Sequence, residues 1–117
     1  MGTTYQLVNL TRGELIGFSH IPTAKALELA GNPVSASMVT WYLLNHLGDQ
    51  ITFVSIADGI WPLSSGSIED IAGFPDKTEK IVEDLIGKGI LIDEGRDYYF
   101  EDEPEIYDRK LRNVWLE

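Results

Sequence analysis

The chain has 117 residues, of which 44% are hydrophobic, with a formal net charge of −10 and no cysteine. This length and composition predict a single domain over residues 1–117, and the lack of cysteine excludes disulfides, thiolate zinc sites and cysteine nucleophiles. The apolar segments are interrupted by polar residues and fall short of the roughly 20 residues that span a bilayer. We therefore expect a cytoplasmic protein that has no membrane partner.

The negative charge is concentrated in one part of the chain. Fourteen Asp or Glu and four Lys or Arg lie between Ser67 and Asp108, whereas the remaining residues carry five of each sign. A field of this kind repels phosphate backbones and anionic lipid, and it favours basic protein surfaces. Acidic faces also keep small proteins soluble, so the charge is either an interaction surface or only a solubilising one.

Residues 4–20 predict a β-hairpin, because strand-favouring side chains flank the connection at residues 11–13. Gly13 suits the positive φ that the last residue of such a turn requires. A short helix is then predicted to open at Pro22 and to stop at Gly31. The chain is therefore expected to begin with a hairpin and one short helix.

The next segment predicts the central helix of the fold. Asn32 is a favourable N-cap and Pro33 a favourable first helical residue, and the helix is expected to run to about Leu47. Its apolar residues follow one another without a continuous polar face, which is typical of a helix surrounded by other elements. We predict that it is buried on most sides, with Trp41 or Leu44 at its centre.

A strand and two more helices are predicted to follow. Residues 51–56 are rich in β-branched and aromatic side chains, which favours a strand, and residues 58–66 have the Gly, Pro and Ser content of a loop. Ser and Asp three residues apart open a short helix over residues 67–72. The second helix is predicted to start at Asp76 with the same device and to end at Gly89.

The remaining residues predict a second hairpin and a helical tail. Residues 90–92 and 98–100 are the expected strands, with residues 93–96 as the turn between them. Residues 101–105 form an acidic connector. The tail over residues 105–116 is predicted to be helical, because its apolar residues share one face at helical spacing.

From Pro33 onward the order helix, strand, helix, helix, strand, strand resembles the winged-helix family over residues 33–101. The stretch SIEDIAGFPDKTEKIVEDLIGKGILIDEGRDYYF, residues 67–100, carries the likeness most closely. Together with the N-terminal β-hairpin and the central buried helix predicted above, the resemblance implies an α+β fold with a winged-helix-like helix-strand-helix-helix-hairpin arrangement. It also implies that residues 76–88 correspond to the family's recognition helix.

The winged-helix family usually binds DNA through that recognition helix. Here its polar positions carry four carboxylates against three lysines and no arginine, and the corresponding wing is net negative. Such a surface is poorly suited to a major groove, so we expect no nucleic-acid partner. Winged-helix modules also serve as protein-interaction domains, which is the role that the resemblance favours here.

The sequence contains no recognisable catalytic, cofactor or metal-binding motif. His20 and His46 have no partner at ligand spacing, and His46 is expected to be a hydrogen-bonded structural residue, whereas His20 is expected in a turn. No nucleophile elbow, phosphate loop or EF-hand is present. We therefore predict no catalytic residue, no cofactor and no metal.

Five residues are candidates for binding a partner protein. Glu101, Asp102 and Glu103 are either part of an acidic interface or a solvated connector. Trp61 is either a recognition tip or a side chain that packs back against the core. Tyr99 is either exposed to solvent or packed beneath the C-terminal segment, because strand alternation places it opposite its two aromatic neighbours.

The leading functional hypothesis is a non-catalytic interaction module that presents an acidic face to a basic protein partner. Small acidic inhibitors of basic nucleases, such as toxin-immunity proteins, act in this way, although no motif is shared with them. One alternative is a winged-helix transcriptional regulator that binds DNA. Another is a small enzyme whose site is assembled from scattered carboxylates. The sequence leaves both alternatives open, and it does not distinguish a monomer from a homodimer.

Overall fold

A computed structural model describes residues 3–55, 57 and 60–117. The predicted α+β fold is confirmed, with helices packed against two small antiparallel sheets. In chain order the elements are β1 (Gln6–Asn9), β2 (Glu14–Ile16), α1 (Ala26–Gly31), α2 (Pro33–Leu44), β3 (Ile51–Val54), a 3₁₀ helix (Ile68–Gly73), α3 (Thr78–Gly87), β4 (Leu91–Tyr98) and β5 (Tyr107–Asn113). Within the described residues, no helix is both long enough and apolar enough to cross a bilayer.

The predicted N-terminal hairpin is confirmed and forms part of a three-stranded sheet in the order β2-β1-β3. Gly13 closes its turn with a φ of +67°, the left-handed conformation that glycine adopts without strain. Leu7 pairs with Ile16 of β2 and with Phe53 of β3. Because side chains alternate along a strand, Leu7 and its neighbour Val8 point to opposite faces. Both faces of β1 are consequently buried.

Each face of this sheet has its own hydrophobic cluster. The first cluster lies between the sheet and the helices, and its buried members are Leu7, Ile16, Phe18, Ile21, Leu29, Val34, Met38, Tyr42, Ile81, Val82, Leu85 and Leu91. The second cluster, on the opposite face, consists of Val8, Leu15, Val54 and Ile71, with Trp61, Ile68 and Phe74 packed against it. The first cluster is thus the main core, and it holds α3 and the start of β4.

The start of α2 is as predicted, but its burial is not. The Asn32 side chain accepts a hydrogen bond from Val34 N at 2.8 Å, which confirms the N-cap. Only one face of the helix is buried, along a line through Met38 and Tyr42, whereas Leu44 is 58% exposed. The prediction of burial on most sides is wrong, and so is that of Leu44 as the centre. Trp41, the other predicted centre, is only partly buried and packs against the first cluster. Apolar residues surround α2, but the neighbouring elements cover only one side of it.

The predicted second hairpin with a turn at residues 93–96 is also wrong. β4 runs without interruption through this segment, and its partner is β5. The Asp93 carboxylate accepts a hydrogen bond from Gly95 N at 2.9 Å, and Gly95 has a φ of +113°. These contacts form a bulge in the strand, where the register shifts between Asp93 and Arg96. The residues that predicted a turn thus form a bulge instead. An Asp two residues before a Gly at positive φ is compatible with either structure.

The C-terminal segment was predicted to be a helix and is instead the strand β5. Tyr107 and Leu111 are four residues apart, a spacing that fits one helical turn and also two steps of strand alternation. In β5 both are partly buried, whereas Lys110 and Arg112 are exposed. Pairing with β4 decided between the two structures, and a local pattern does not reveal that pairing. The winged-helix resemblance stays a prediction about the order of the elements.

Candidate interaction surface on the C-terminal hairpin

The β4–β5 hairpin extends away from the main core. β4 begins at the buried Leu91, but every residue from Asp93 to Tyr98 is exposed. The hairpin contacts the body at its base, where Asn113 Nδ2 donates a hydrogen bond to Pro33 O at 3.2 Å, and further along β5, where Arg109 N donates one to His20 O at 2.7 Å. Its far end is therefore free of the core and open to solvent.

His20 anchors the hairpin at Tyr107, which pairs with Tyr98 where the two strands end. Its ring stacks on Tyr107 with centroids 3.8 Å apart, and its Nδ1 lies 2.8 Å from the Tyr107 carbonyl oxygen. The Arg96 guanidinium lies 4.3 Å from the centre of the same tyrosine ring, so the ring is held between two flat groups. His20 has a φ of +63°, a conformation that is unusual for a residue with a side chain. The turn position of His20 was predicted, but this anchoring contact was not.

The loop at the end of the hairpin, residues 98–106, is referred to here as the hairpin tip. It combines exposed apolar side chains with uncompensated negative charge. Its three consecutive aromatic residues are 54–60% exposed, and a fourth apolar side chain, Ile106, is 41% exposed. The tip has four carboxylates and no Lys or Arg, and none of those carboxylates pairs with a basic residue in the described part of the chain. Four of the five candidate partner-binding residues lie in this tip: Tyr99, Glu101, Asp102 and Glu103.

Tyr99 is exposed to solvent, and its side chain is hydrogen-bonded to the start of the strand β5. Its hydroxyl donates a hydrogen bond to the Asp108 carboxylate. That bond, with the negative charge of Asp108, raises the pKa of the Tyr99 phenol. Of the two orientations considered for Tyr99, the structure has the exposed one.

Trp61 does not belong to the hairpin tip. Its indole is partly buried and packs against the second hydrophobic cluster, on the far face of the three-stranded sheet. Its Nε1 donates a hydrogen bond to Ser65 O at 2.7 Å, which closes the loop before the 3₁₀ helix. The structure thus has the folded-back arrangement that the sequence left as one of two possibilities.

His46 has the structural role that was predicted for it. Its Nδ1 lies 2.8 Å from the carbonyl oxygen of Tyr42, and its ring stacks on the tyrosine ring with centroids 4.0 Å apart. The Tyr42 hydroxyl donates to Glu14 at 2.5 Å, and burial together with this bond raises the pKa of the phenol. Across residues 3–55, 57 and 60–117, no group of three or more His, Asp or Glu side chains is arranged to hold a metal ion.

A second charged surface was not predicted from the sequence. We name it the lysine cleft and define it by Arg12, Lys77, Lys80 and Lys88. These four side chains line one concavity between α3, the C-terminal end of α2 and the β1–β2 turn. Lys80 lies on α3 and the other two lysines flank its ends, on the side that also carries Asp84. Glu79 and Glu83 line a different concavity. A helical wheel of α3 would have shown that the lysines and these two glutamates lie on different sides of the helix. A count of charges along the sequence does not distinguish the two sides.

Comparison with known proteins gives no further guide to the role of either surface. No protein-family model, no curated protein and no solved structure matches the chain.

Proposed function

We propose that the chain is a non-catalytic protein-interaction module whose hairpin tip docks onto a basic surface of a partner protein. The observation that supports this function most strongly is the composition of the tip. Exposed aromatic rings and unpaired carboxylates occupy one loop without a single cation. Each component has a separate task in such a complex.

The aromatic side chains supply the contact area of the proposed complex. Tyrosine and phenylalanine bury a large area at a small cost in side-chain entropy, and well-packed aromatic residues are frequent hot spots of interfaces. In the free protein, three such side chains in succession are largely in contact with water. Adjacent exposed apolar side chains of this kind are characteristic of binding sites.

The carboxylates determine which partners the tip attracts. Four negative charges on one short loop attract a Lys- or Arg-rich surface and repel nucleic acid and anionic lipid. An inhibitor of a basic enzyme is one role that fits this selectivity. We place the interaction in the cytoplasm, in keeping with the lack of cysteine. Trp61 is left outside the proposed interface, because its indole already packs against the second hydrophobic cluster.

The experiment compares two triply substituted proteins as baits in pull-downs from the source cells. The tip variant carries Glu101→Gln, Asp102→Asn and Glu103→Gln. The control variant carries Glu69→Gln, Glu79→Gln and Asp84→Asn, which changes the net charge equally at exposed positions outside the tip. We expect the control to retain a basic partner that the tip variant loses. Equal recovery by both variants would contradict the proposed interface.

A further inference from the structure

The lysine cleft concentrates positive charge in a protein that is strongly acidic overall. It contains four of the nine Lys and Arg residues of the chain. Lys77 and Lys88 form no ion pair with any carboxylate in the described part of the chain. Lys80 is only weakly engaged, with its Nζ 3.6 Å from Asp84 on the exposed helix surface. The cleft thus has ammonium groups that are available to an anion.

The size and lining of the cleft suit a small ligand. Its volume is about 550 Å³, within the range of about 300–1,000 Å³ that is usual for ligand pockets. The ring of Trp41 lines it beside the basic residues and offers a flat apolar surface. The two carboxylates in the lining are Glu14 and Asp84, and Glu14 accepts a hydrogen bond from the Tyr42 hydroxyl at 2.5 Å. Cations therefore outnumber carboxylates by two to one around this space.

The floor of the cleft is fixed by a hydrogen-bond network that extends from the buried Asn9 to the surface. Asn9 is fully buried, and its Nδ2 donates to the Tyr42 hydroxyl at 3.1 Å and to Asp49 at 2.8 Å. The same Asp49 oxygen accepts a hydrogen bond from Arg12 Nε at 2.9 Å. Because one network holds both the floor and the guanidinium, the site requires little reorganisation when a ligand binds.

We propose that the lysine cleft binds a small phosphate monoester, with its phosphate between Lys77, Lys80 and Arg12 and its organic group against Trp41. Charge-assisted hydrogen bonds from ammonium and guanidinium groups are the usual means of holding phosphate. Duplex DNA is a poorer occupant, since major-groove recognition needs a helix that protrudes. Here the lysine face of α3 is one wall of a concavity. This site is independent of the function proposed for the hairpin tip.

The test is a titration of the ¹⁵N-labelled protein with adenosine monophosphate, with adenosine as the probe that lacks phosphate. We expect saturable shifts at Lys77, Lys80 and the Trp41 indole N–H, with a Kd between about 10 μM and 1 mM. Adenosine should bind at least about tenfold more weakly, because it forms none of the charge-assisted bonds. The absence of a saturable shift up to about 10 mM, or equal binding of adenosine, would overturn the proposal.

Two matched variants show whether the shifts arise from the cleft. Lys77→Gln with Lys80→Gln should weaken binding of adenosine monophosphate by at least about tenfold. Lys25→Gln with Lys110→Gln removes the same charge from exposed positions outside the cleft and should change it by less than about twofold. Equal weakening by both pairs would mean that net charge alone attracts the anion. A duplex DNA or an acidic peptide that shifts the cleft residues when adenosine monophosphate does not would also overturn the proposal.

Discussion

The hairpin tip and the lysine cleft are both charged and accessible, but they are built in opposite ways. The tip is one continuous stretch, residues 98–106, at the end of a two-stranded sheet that stands away from the core. The cleft draws its cations from the β1–β2 turn and α3, and it rests directly on the main core. The tip was therefore recognisable from sequence, whereas the cleft became visible only when the fold brought its parts together.

Because the tip stands away from the core and the cleft rests on it, the two surfaces should respond differently to substitution. Side chains in the tip make few contacts, so they can be replaced with little effect on the stability of the fold. The cleft depends on the packing of α3, so damage to the core beneath α3 also damages the cleft. Binding and stability are thus expected to be separable in the tip and coupled in the cleft.

The largest expected effect is a loss of stability beneath the cleft. Leu85 lies on the inner face of α3 and has no exposed surface. Leu85→Ala should lower the free energy of unfolding by about 2–5 kcal/mol, because it removes buried methyl groups and leaves a cavity. Urea denaturation followed by circular dichroism measures the change.

Leu44→Ala is the control for this prediction, since Leu44 is 58% exposed on α2. We expect a change within about 0.5 kcal/mol, the usual range for substitutions at the surface. If the two variants lost similar stability, the assignment of the core to one face of α2 and the inner face of α3 would be wrong.

A smaller effect is expected at Asp76, which joins the end of β2 to the start of α3. Its carboxylate accepts hydrogen bonds from Gly17 N at 3.1 Å, from the Ser19 hydroxyl at 2.6 Å, and from Thr78 N at 2.9 Å. Burial alone would raise the pKa of Asp76, but these hydrogen bonds outweigh it and hold the pKa below its usual value. Because the carboxylate is also exposed to solvent, Asp76→Ala should cost about 0.5–2 kcal/mol at neutral pH, the usual range for the loss of a helix-capping side chain.

The sign of the pH dependence follows from that lowered pKa. The Asp76 carboxylate is more acidic in the folded than in the unfolded chain, so its contribution is complete above the unfolded pKa of about 3.9. It is lost as the pH falls through the folded pKa. The stability difference between wild type and Asp76→Ala should therefore shrink on going from pH 7 to the lowest pH at which the protein still folds. A difference that stays constant would contradict this account, and Asp84→Ala, at an exposed helix position, should show almost none at either pH.

The smallest effect on stability is expected in the tip. Tyr99→Ala with Phe100→Ala removes two side chains that are 60% and 54% exposed. The free energy of unfolding should change by no more than about 0.5 kcal/mol per substitution. Thermal denaturation at neutral pH measures this change. A loss of several kilocalories would show that these rings stabilise the hairpin and are not free to contact a partner.

The parts of the fold that were predictable are those specified by local chemistry. Asn32 and Pro33 fixed the start of α2, and Gly89 follows the end of α3 with a φ of +77°, as a terminating glycine should. Asp76 was recognised as a helix-starting residue, and it accepts a hydrogen bond from Thr78 N in the first turn of α3. Each of these signals acts within a few residues and needs no knowledge of distant partners.

The parts that failed depend on contacts between distant segments. The turn chemistry at Asp93 and Gly95 does not indicate whether the chain reverses or continues, and pairing with β5 made it continue. Similarly, the apolar surface of α2 does not reveal which side its neighbours cover. For the candidate sites, residues adjacent in sequence identified the tip, whereas the cleft required the relative positions of α2, α3 and the first hairpin.

The most direct test of the central claim is the association rate of the isolated partner with the tip variant described above. Electrostatic attraction acts mainly on association, so the tip variant should associate several-fold more slowly than the control variant at low salt, with little change in dissociation. Raising the salt from about 0.05 to about 0.5 M shortens the screening length from about 14 to about 4 Å and should remove most of this difference. Equal association rates for the two variants at low salt would contradict the claim that the hairpin tip is the interaction surface.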